Sequence, residues 1–455
     1  MSELKIIIRH AGTVLVGQLA VMAFGVADTV IAGRYSDTAL AALSVGSAIY
    51  ISVYVGLIGI VQALLPIWAE LLGANKHQAI GRSLRQSLYL SGLITIAGMT
   101  ALLFPGALLR WAQVPEGMLS EVQSYLTVLA FAFAPSILFR LYSTFNQSLG
   151  KPLLVTWLQV GALLVKIPLS IWWVAGGAGV EPMGVVGCAW ATLVVNYLLL
   201  ALGLVMLRTQ TLYKPFRIWQ PMERPNWQTI GNFARLGIPA GLAYLVEVTS
   251  FTLMAVFIAR LGVTVSASHQ IAASMAAVLY MMPLSMAIAS SARVSFWLGA
   301  GKPEHAKRIV LLGLKLTASA SIAIIAILLI AKNSLAGFYS ANPAIVSTAS
   351  SLFVWVAVYH LADSIQAVCA FLLRCYRVTL APLVLYGVLL WGFGLYGGYL
   401  LTYEGLFGLK AMPSSSTFWI ASSLALWLVA VCFLGLLWRA VRENQHANSA
   451  QTQAV

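Results

Sequence analysis

Runs of about twenty or more mostly apolar residues alternate with short polar connections along the whole chain. Each run is long enough to cross a hydrocarbon core of about 30 Å as a helix. The pattern predicts helices over 12–33, 41–72, 87–109, 122–148, 153–175, 184–207, 236–258, 266–298, 309–331, 346–373, 380–402 and 417–438. Twelve spans put both termini on one side of the membrane. The longest polar connection, 208–235, contains Lys214-Pro215, Pro221 and Pro225 and divides the spans six and six.

A repeat at a constant offset of 226 residues supports that division. Arg34 aligns with Arg260, Thr38 with Thr264, Lys76 with Lys302 and Arg82 with Arg308. Leu72-Gly-Ala-Asn-Lys76 and Leu298-Gly-Ala-Gly-Lys302 fall at the same place in each half. Six spans per half is an even number, so the repeats are parallel and related by an axis along the membrane normal. The expected class is an all-α polytopic membrane protein of two six-helix lobes, 1–220 and 221–442. The polar segment 443–455 is expected to be a disordered cytoplasmic tail.

Composition narrows the class further. Hydrophobic residues make up 60% of the 455 positions and charged residues 9%, with a mean hydropathy of +0.88. Soluble domains carry about 25% charged residues, so a large soluble core is excluded. The net charge of +14 does not point to nucleic acid, because the basic residues lie between spans and form no stripe or RNP-type motif. Their distribution is lopsided. Connections carrying Lys76, Arg82, Arg85, Lys151, Arg208 to Arg235, Lys302 to Arg308, Arg374 and Arg377 are basic, and so are both chain ends. The alternate connections hold only Arg34, Arg110, Arg260, Lys332 and Lys410. The positive-inside rule therefore puts both termini in the cytoplasm. Lys5 and Arg9 precede an apolar run too long for a signal peptide, so 12–33 is read as a retained span. Cys188, Cys369, Cys375 and Cys432 lie in apolar spans without CxxC spacing and are read as small hydrophobes.

Against this background three carboxylates stand out within spans: Asp28, Glu247 and Asp363. An acid at bilayer depth is costly and by default marks an ion or substrate pathway. At about 1.5 Å per residue, Glu247 lies about 18 Å beyond the basic anchor Arg235, and Asp363 about 16 Å before Arg374. The two acids share a level near the midplane, where facing helices would let them hold one proton or one monovalent cation, sodium among the candidates. The alternative is two acids satisfied separately by hydroxyl or backbone groups. Phe251 is one turn past Glu247 and Tyr359 one turn before Asp363. With Tyr280 they are candidate aromatics of a cation site, packing being their competing role. Asp28 lies nearer the outer face, about 28 Å beyond Arg9, level with Ser170. Lys166, one turn below Ser170, is too deep to snorkel and needs an acidic partner; Asp28 is the first-half acid at that depth. The pair is either a structural lock or one that opens when Asp28 is protonated. Glu70, Arg140 and Arg293 lie toward cytoplasmic helix ends and are read as structural.

Several segments together resemble the multidrug and toxic compound extrusion (MATE) family, in particular its norfloxacin-extrusion branch. They are Val26-Ala-Asp-Thr-Val-Ile-Ala-Gly33, Val246-Glu-Val, Ala267-Ser-His-Gln-Ile, Leu298-Gly-Ala-Gly and Tyr359-His-Leu-Ala-Asp-Ser-Ile-Gln366. The resemblance implies two lobes around a central cavity and alternating access driven by inward sodium or protons. By position it makes Asp28 the first-lobe carboxylate, Glu247 and Asp363 the second-lobe cation ligands, and Phe251 and Tyr280 their aromatics. Ser170 and Thr192 fall among the polar groups around the first-lobe acid, with Lys166 where relatives commonly have Asn. An ammonium there disfavours sodium beside Asp28, so sodium coupling falls to the second lobe and any first-lobe coupling to protons. The first span also lacks the proline common in the family, whereas the seventh keeps Pro239.

The implied activity is export of amphipathic, mostly cationic drugs and dyes in exchange for sodium or protons. The implied setting is a bacterial inner membrane, the chain acting as a monomer with no cofactor beyond the coupling ion. The runner-up, a flippase for lipid-linked oligosaccharides, calls for a basic cavity, to which Lys166 and Arg140 alone would contribute. An intramembrane transferase would need clustered aspartates, and no DxxxD occurs. No catalytic residue is assigned.

Overall fold

The structure, a computed structural model, describes residues 2–111, 116–177, 179–405, 408 and 410–453. Among these, twelve helices are long and apolar enough to cross a membrane. They are α1 Glu3–Tyr35, α2 Asp37–Gly73, α3 His77–Leu103, α4 Glu116–Ser148, α5 Leu153–Ala175 and α6 Val185–Thr209. The second set is α7 Trp227–Ala259, α8 Val263–Gly299, α9 Pro303–Tyr339, α10 Pro343–Cys375, α11 Leu380–Tyr403 and α12 Ser415–Gln453. No strand forms among the described residues beyond a single bridge between Gly177 and Val180.

The helices are longer and less regular than the hydrophobic runs. α2 breaks into Asp37–Gln62 and Leu65–Gly73, with Pro66 in the first turn of the second piece, where its missing N–H costs least. Pro105 separates α3 from a short helix, Gly106–Trp111. Inside α11, a π-helical stretch over Gly387–Tyr396 joins two short α-helical ends. The polar tail is not disordered from Glu443 as expected: α12 continues to Gln453. Gln445 holds this extension against the start of α9, donating to Glu304 and accepting from Lys307 at 3.5 Å. Ala454 and Val455 lie outside the described residues.

The chain divides into two compact units, Val16–Gly241, and Met1–Leu15 with Leu242–Val455. Neither boundary coincides with the mid-chain connection, so the expected break at 220/221 does not describe the packing. The first fifteen residues of the chain, which include the start of α1, belong with the second half, and the first fifteen of α7 with the first half.

Contacts within each unit explain this. In the second unit, Glu3 accepts from Arg293 Nε at 2.9 Å and from Trp297 Nε1 at 3.2 Å, which fixes the start of α1 to α8. In the first unit, α7 crosses α2 through glycines. A Cβ on Gly59 would sit 2.7 Å from Gly241 Cα, and one on Gly241 would sit 2.3 Å from the Gly56 carbonyl oxygen. Small residues permit backbone approach of this kind in membrane helices. Gly59→Ala is expected to lose about 1–3 kcal/mol to overpacking, read as a fall in thermal midpoint of the detergent-solubilised protein. An unchanged midpoint would contradict the close crossing.

The first unit packs around Trp68, Phe133 and Phe145, and the second around Phe353, Phe418 and Trp419, all fully buried. The 208–226 connection is latched to α3. Arg85, buried, donates from Nε to Glu223 Oε2 at 2.9 Å and from Nη1 to the Arg217 carbonyl at 2.8 Å. Gln86 accepts from Asn226 N–H at 2.8 Å and donates to the Arg224 carbonyl at 3.1 Å. Tyr89 donates to the Glu223 carbonyl at 2.8 Å.

Hydrogen bonding from Arg85 holds the Glu223 carboxyl below the usual carboxylate range. A folded-state value below the unfolded one means that the latch stabilises the fold at neutral pH. That contribution is lost as pH falls through the depressed value. Partial exposure of Glu223 limits it to below about 1 kcal/mol. Proteolysis of the connection is therefore expected to speed up on acidification in wild type, and Glu223→Gln is expected to flatten the dependence.

Candidate functional site

Each unit holds a carboxylate-centred group of polar side chains within its spans. In the first unit, Asp28 on α1 meets Lys166 on α5. The Lys166 ammonium donates to both carboxylate oxygens at 2.9 Å and to Thr192 Oγ1 of α6 at 2.8 Å. Its three protons are thereby all committed. Thr192 spends its own hydrogen on the Cys188 carbonyl at 2.9 Å, which leaves its oxygen to accept from Lys166. Ser170, one turn beyond Lys166, donates to Asp28 Oδ1 at 3.3 Å. Lys166 is 1% exposed, Ser170 0% and Asp28 7%. The Phe24 ring lies 5.9 Å from the ammonium. A buried charge stays charged only when paired and hydrogen-bonded, and here both members are.

In the second unit, Glu247 on α7 and Asp363 on α10 come together through a residue that carries no charge. Gln366, fully buried and one turn past Asp363 on the same face, donates from Nε2 to Glu247 Oε1 at 2.7 Å and to Asp363 Oδ1 at 2.9 Å. Tyr386 of α11 donates to Gln366 Oε1. That phenol fixes the amide, because carboxylates accept only and must face the NH2 end. The Gln366 bonds use one oxygen of each carboxylate, and Glu247 Oε2 and Asp363 Oδ2 are the remaining acceptor oxygens. Arg374, farther along α10 and stacked 4.3 Å from the Phe371 ring, interacts electrostatically with Glu247. With both acids ionised, two carboxylates and one guanidinium would leave the group one negative charge in excess.

The assigned aromatics divide between this group and a ring cluster. Tyr280 and Tyr359 both lie within electrostatic range of Glu247 and Asp363. Phe251 instead packs its ring against Tyr359, His269 and Trp419 at 6.0, 6.3 and 5.8 Å, and so adjoins the acids by way of Tyr359. Ser250, Phe251, Met254 and Tyr359 face Leu390 and Gly394 of the π-helical stretch across a small cleft. Gln366 and Tyr386 were not assigned from sequence. Gln366 offered a weak signal, three residues past a buried acid on the same helical face; Tyr386 offered none.

Comparison with known proteins accounts for the repeat. The family model described as MatE matches twice, over residues 14–172 and 239–400. The chain is 36% identical to the probable multidrug resistance protein NorM of Aromatoleum aromaticum, over 97% of this chain and 95% of that one. It is 30% identical to the multidrug resistance protein PmpM of Pseudomonas aeruginosa, over 88% and 84%. Among solved structures, the eukaryotic MATE transporter AtDTX14 superposes with a TM-score of 0.85 at 20% identity, covering 98% of this chain and 99% of that one. The Vibrio cholerae MATE transporter VcmN in its bent form gives 0.82 at 16%, covering 97% and 98%. At those identities the structures speak for the fold alone. With a repeated family match over more than half its length and relatives aligned nearly end to end, this chain belongs to the MATE family and is a NorM-like, multi-pass membrane transporter.

Proposed function

We propose that the protein is a secondary antiporter of the bacterial inner membrane, with both termini cytoplasmic, that expels amphipathic cationic compounds in exchange for sodium or protons. The observation that carries this reading is the Glu247–Gln366–Asp363 bridge. Both acceptor oxygens bond one amide nitrogen, so the two acids are within reach of a single small cation. Two ionised carboxylates so close repel by a few kcal/mol even at an effective dielectric near ~20. A proton or a monovalent cation relieves that repulsion, and Oε2 and Oδ2 are its natural ligands. The Gln366 amide holds the pair together when neither is bound.

The first unit supports a different role. Lys166 already supplies the cation that Asp28 requires, and its three protons are spent, so sodium coupling belongs to the second unit. The Lys166 ammonium, committed to Asp28 and Thr192, is not available to a pyrophosphate, which disfavours the lipid-linked oligosaccharide flippase. The relatives' names mention multidrug resistance, in keeping with drug-like substrates for this chain.

Transport requires that the ion and the drug bind differently to the two access states. The test is efflux of a fluorescent cationic dye from proteoliposomes under a sodium gradient or a proton gradient imposed separately. Acceleration by either gradient is the expected result. Gradient-independent leakage in correctly inserted protein would remove the antiport reading.

A further inference from the structure

The connection latched to α3 also borders an open cavity that the transport reading does not use. A short 3₁₀ turn, Thr211–Phe216, lies against the start of α3. Gly81 makes this possible, since a Cβ there would come 1.9 Å from the Phe216 carbonyl oxygen. Phe216 is buried against His77 and Phe145, both at 5.7 Å, and Tyr213 donates to Asn146 at 2.7 Å. Arg217 follows in a left-handed conformation, φ 48°. Between the turn and the helix lies a cavity of about 730 Å³ lined chiefly by Lys76, His77, Gln78, Lys214, Pro215 and Arg217.

Three features give this cavity one chemical preference. No carboxylate lines it, and Lys76, Lys214 and Arg217 have no ion-pair partner among the described residues. The first turn of α3 has neither a capping side chain nor an acidic residue, and the His77, Gln78 and Ala79 N–H groups take no hydrogen bond among the described residues. The His77 Nδ1 atom is buried without a partner as well. The equivalent place in the second half is filled. Lys302, the counterpart of Lys76, lies 5.4 Å over the Trp297 ring, His305 packs on the same ring, and Glu304 supplies an acid engaged by Gln445. Of these two equivalent places, the first-half one is, among the described residues, an open basic hollow without a lining acid. Trp219 on the same connection and Trp227 at the start of α7 are 53% and 68% exposed, as for side chains anchored at headgroup level.

We propose that this cavity binds a phosphate oxyanion, supplied by the headgroup of an anionic phospholipid in the adjoining leaflet. Lysine and arginine from two elements provide the charge, and the open α3 amides provide directed donors. Basic hollows of this type at the cytoplasmic side of membrane helices recruit anionic lipid headgroups.

The test uses purified full-length protein in neutral detergent and reads its thermal midpoint with added phosphatidylglycerol, phosphatidylcholine or inorganic phosphate. Phosphatidylglycerol is expected to raise the midpoint by about 5 °C over phosphatidylcholine, an effect that high salt weakens. Lys76→Gln/Lys214→Gln/Arg217→Gly is expected to lose at least about two-thirds of that rise, while Lys302→Gln keeps it. The midpoint of the triple variant in phosphatidylcholine reports whether the variant folds. If it does not, Lys214→Gln alone, followed by native mass spectrometry of retained lipid, must still show reduced phosphatidylglycerol retention. Equal stabilisation by both lipids, or an undiminished phosphatidylglycerol response in the folded variants, would overturn the site. A full shift from inorganic phosphate with none added by lipid would overturn the lipid source.

Discussion

Asp363→Asn is expected to abolish gradient-driven dye efflux while the protein keeps a thermal midpoint close to that of wild type. The asparagine carbonyl still accepts from Gln366 Nε2, so the bridge to Glu247 survives in outline and the Gln366 amide keeps both acceptors. What disappears is the second negative charge, and with it the preference of the site for a bound cation or proton in one access state. A coupling energy of about 1–3 kcal/mol, typical of linked binding sites, corresponds to a roughly 5–150-fold change in affinity. Efflux under the driving gradient should therefore fall at least about tenfold. Glu247→Gln should behave alike, and the double variant little worse than either single one, because the two acids act as one unit. Wild-type sodium or proton dependence in Asp363→Asn would place coupling elsewhere.

The second large effect concerns stability. Lys166→Met leaves Asp28 buried with Ser170 and the Cys188 thiol as its remaining hydrogen-bond partners. Breaking a buried ion pair from one side costs about 3–5 kcal/mol. For a unit of this size that is a fall in thermal midpoint on the order of 10 °C. Asp28→Asn/Lys166→Met removes both charges, and replacing a buried pair by neutral groups is often close to cost-free, so the double variant should recover most of the loss. A double-mutant cycle then reads the pair directly. The double variant is also expected to keep sodium-driven efflux, since the proposed sodium site lies in the other unit. Loss of efflux with stability restored would instead make the Asp28–Lys166 pair part of the coupling machinery.

The same physics decides what could be read without coordinates. Twelve spans and a six-plus-six repeat are visible because hydropathy and the basic connections act over tens of residues. Asp28 and Lys166 could be matched because a buried ammonium needs an acid and helical rise gives the depth of each. Gln366 escaped because a neutral amide at bilayer depth carries no obvious energetic demand until its partners are known. Tyr386 escaped because its partner lies on another helix and nothing in its neighbourhood marks it. The break at Pro66 was legible in principle, since a proline so placed ends or restarts a helix. The π-helical stretch of α11 was not, as it depends on packing against α12. The helical continuation past Glu443 rests on Gln445 reaching Glu304 and Lys307, a contact 138 to 141 residues distant in sequence.

The two places where a helix passes from one compact unit to the other, Leu15 to Val16 and Gly241 to Leu242, are themselves separated by the repeat length of 226 residues. Each half of the gene thus encodes a six-helix body whose first fifteen residues pack with the products of the other half. Such reciprocal exchange is what a duplicated ancestor would leave behind if its copies had first associated by trading N-terminal arms and were joined afterwards. A separately expressed half would carry an unsatisfied arm and a vacant berth for one. Fragment complementation should therefore succeed only with halves cut in the 208–226 connection, where each arm remains attached to its own helix.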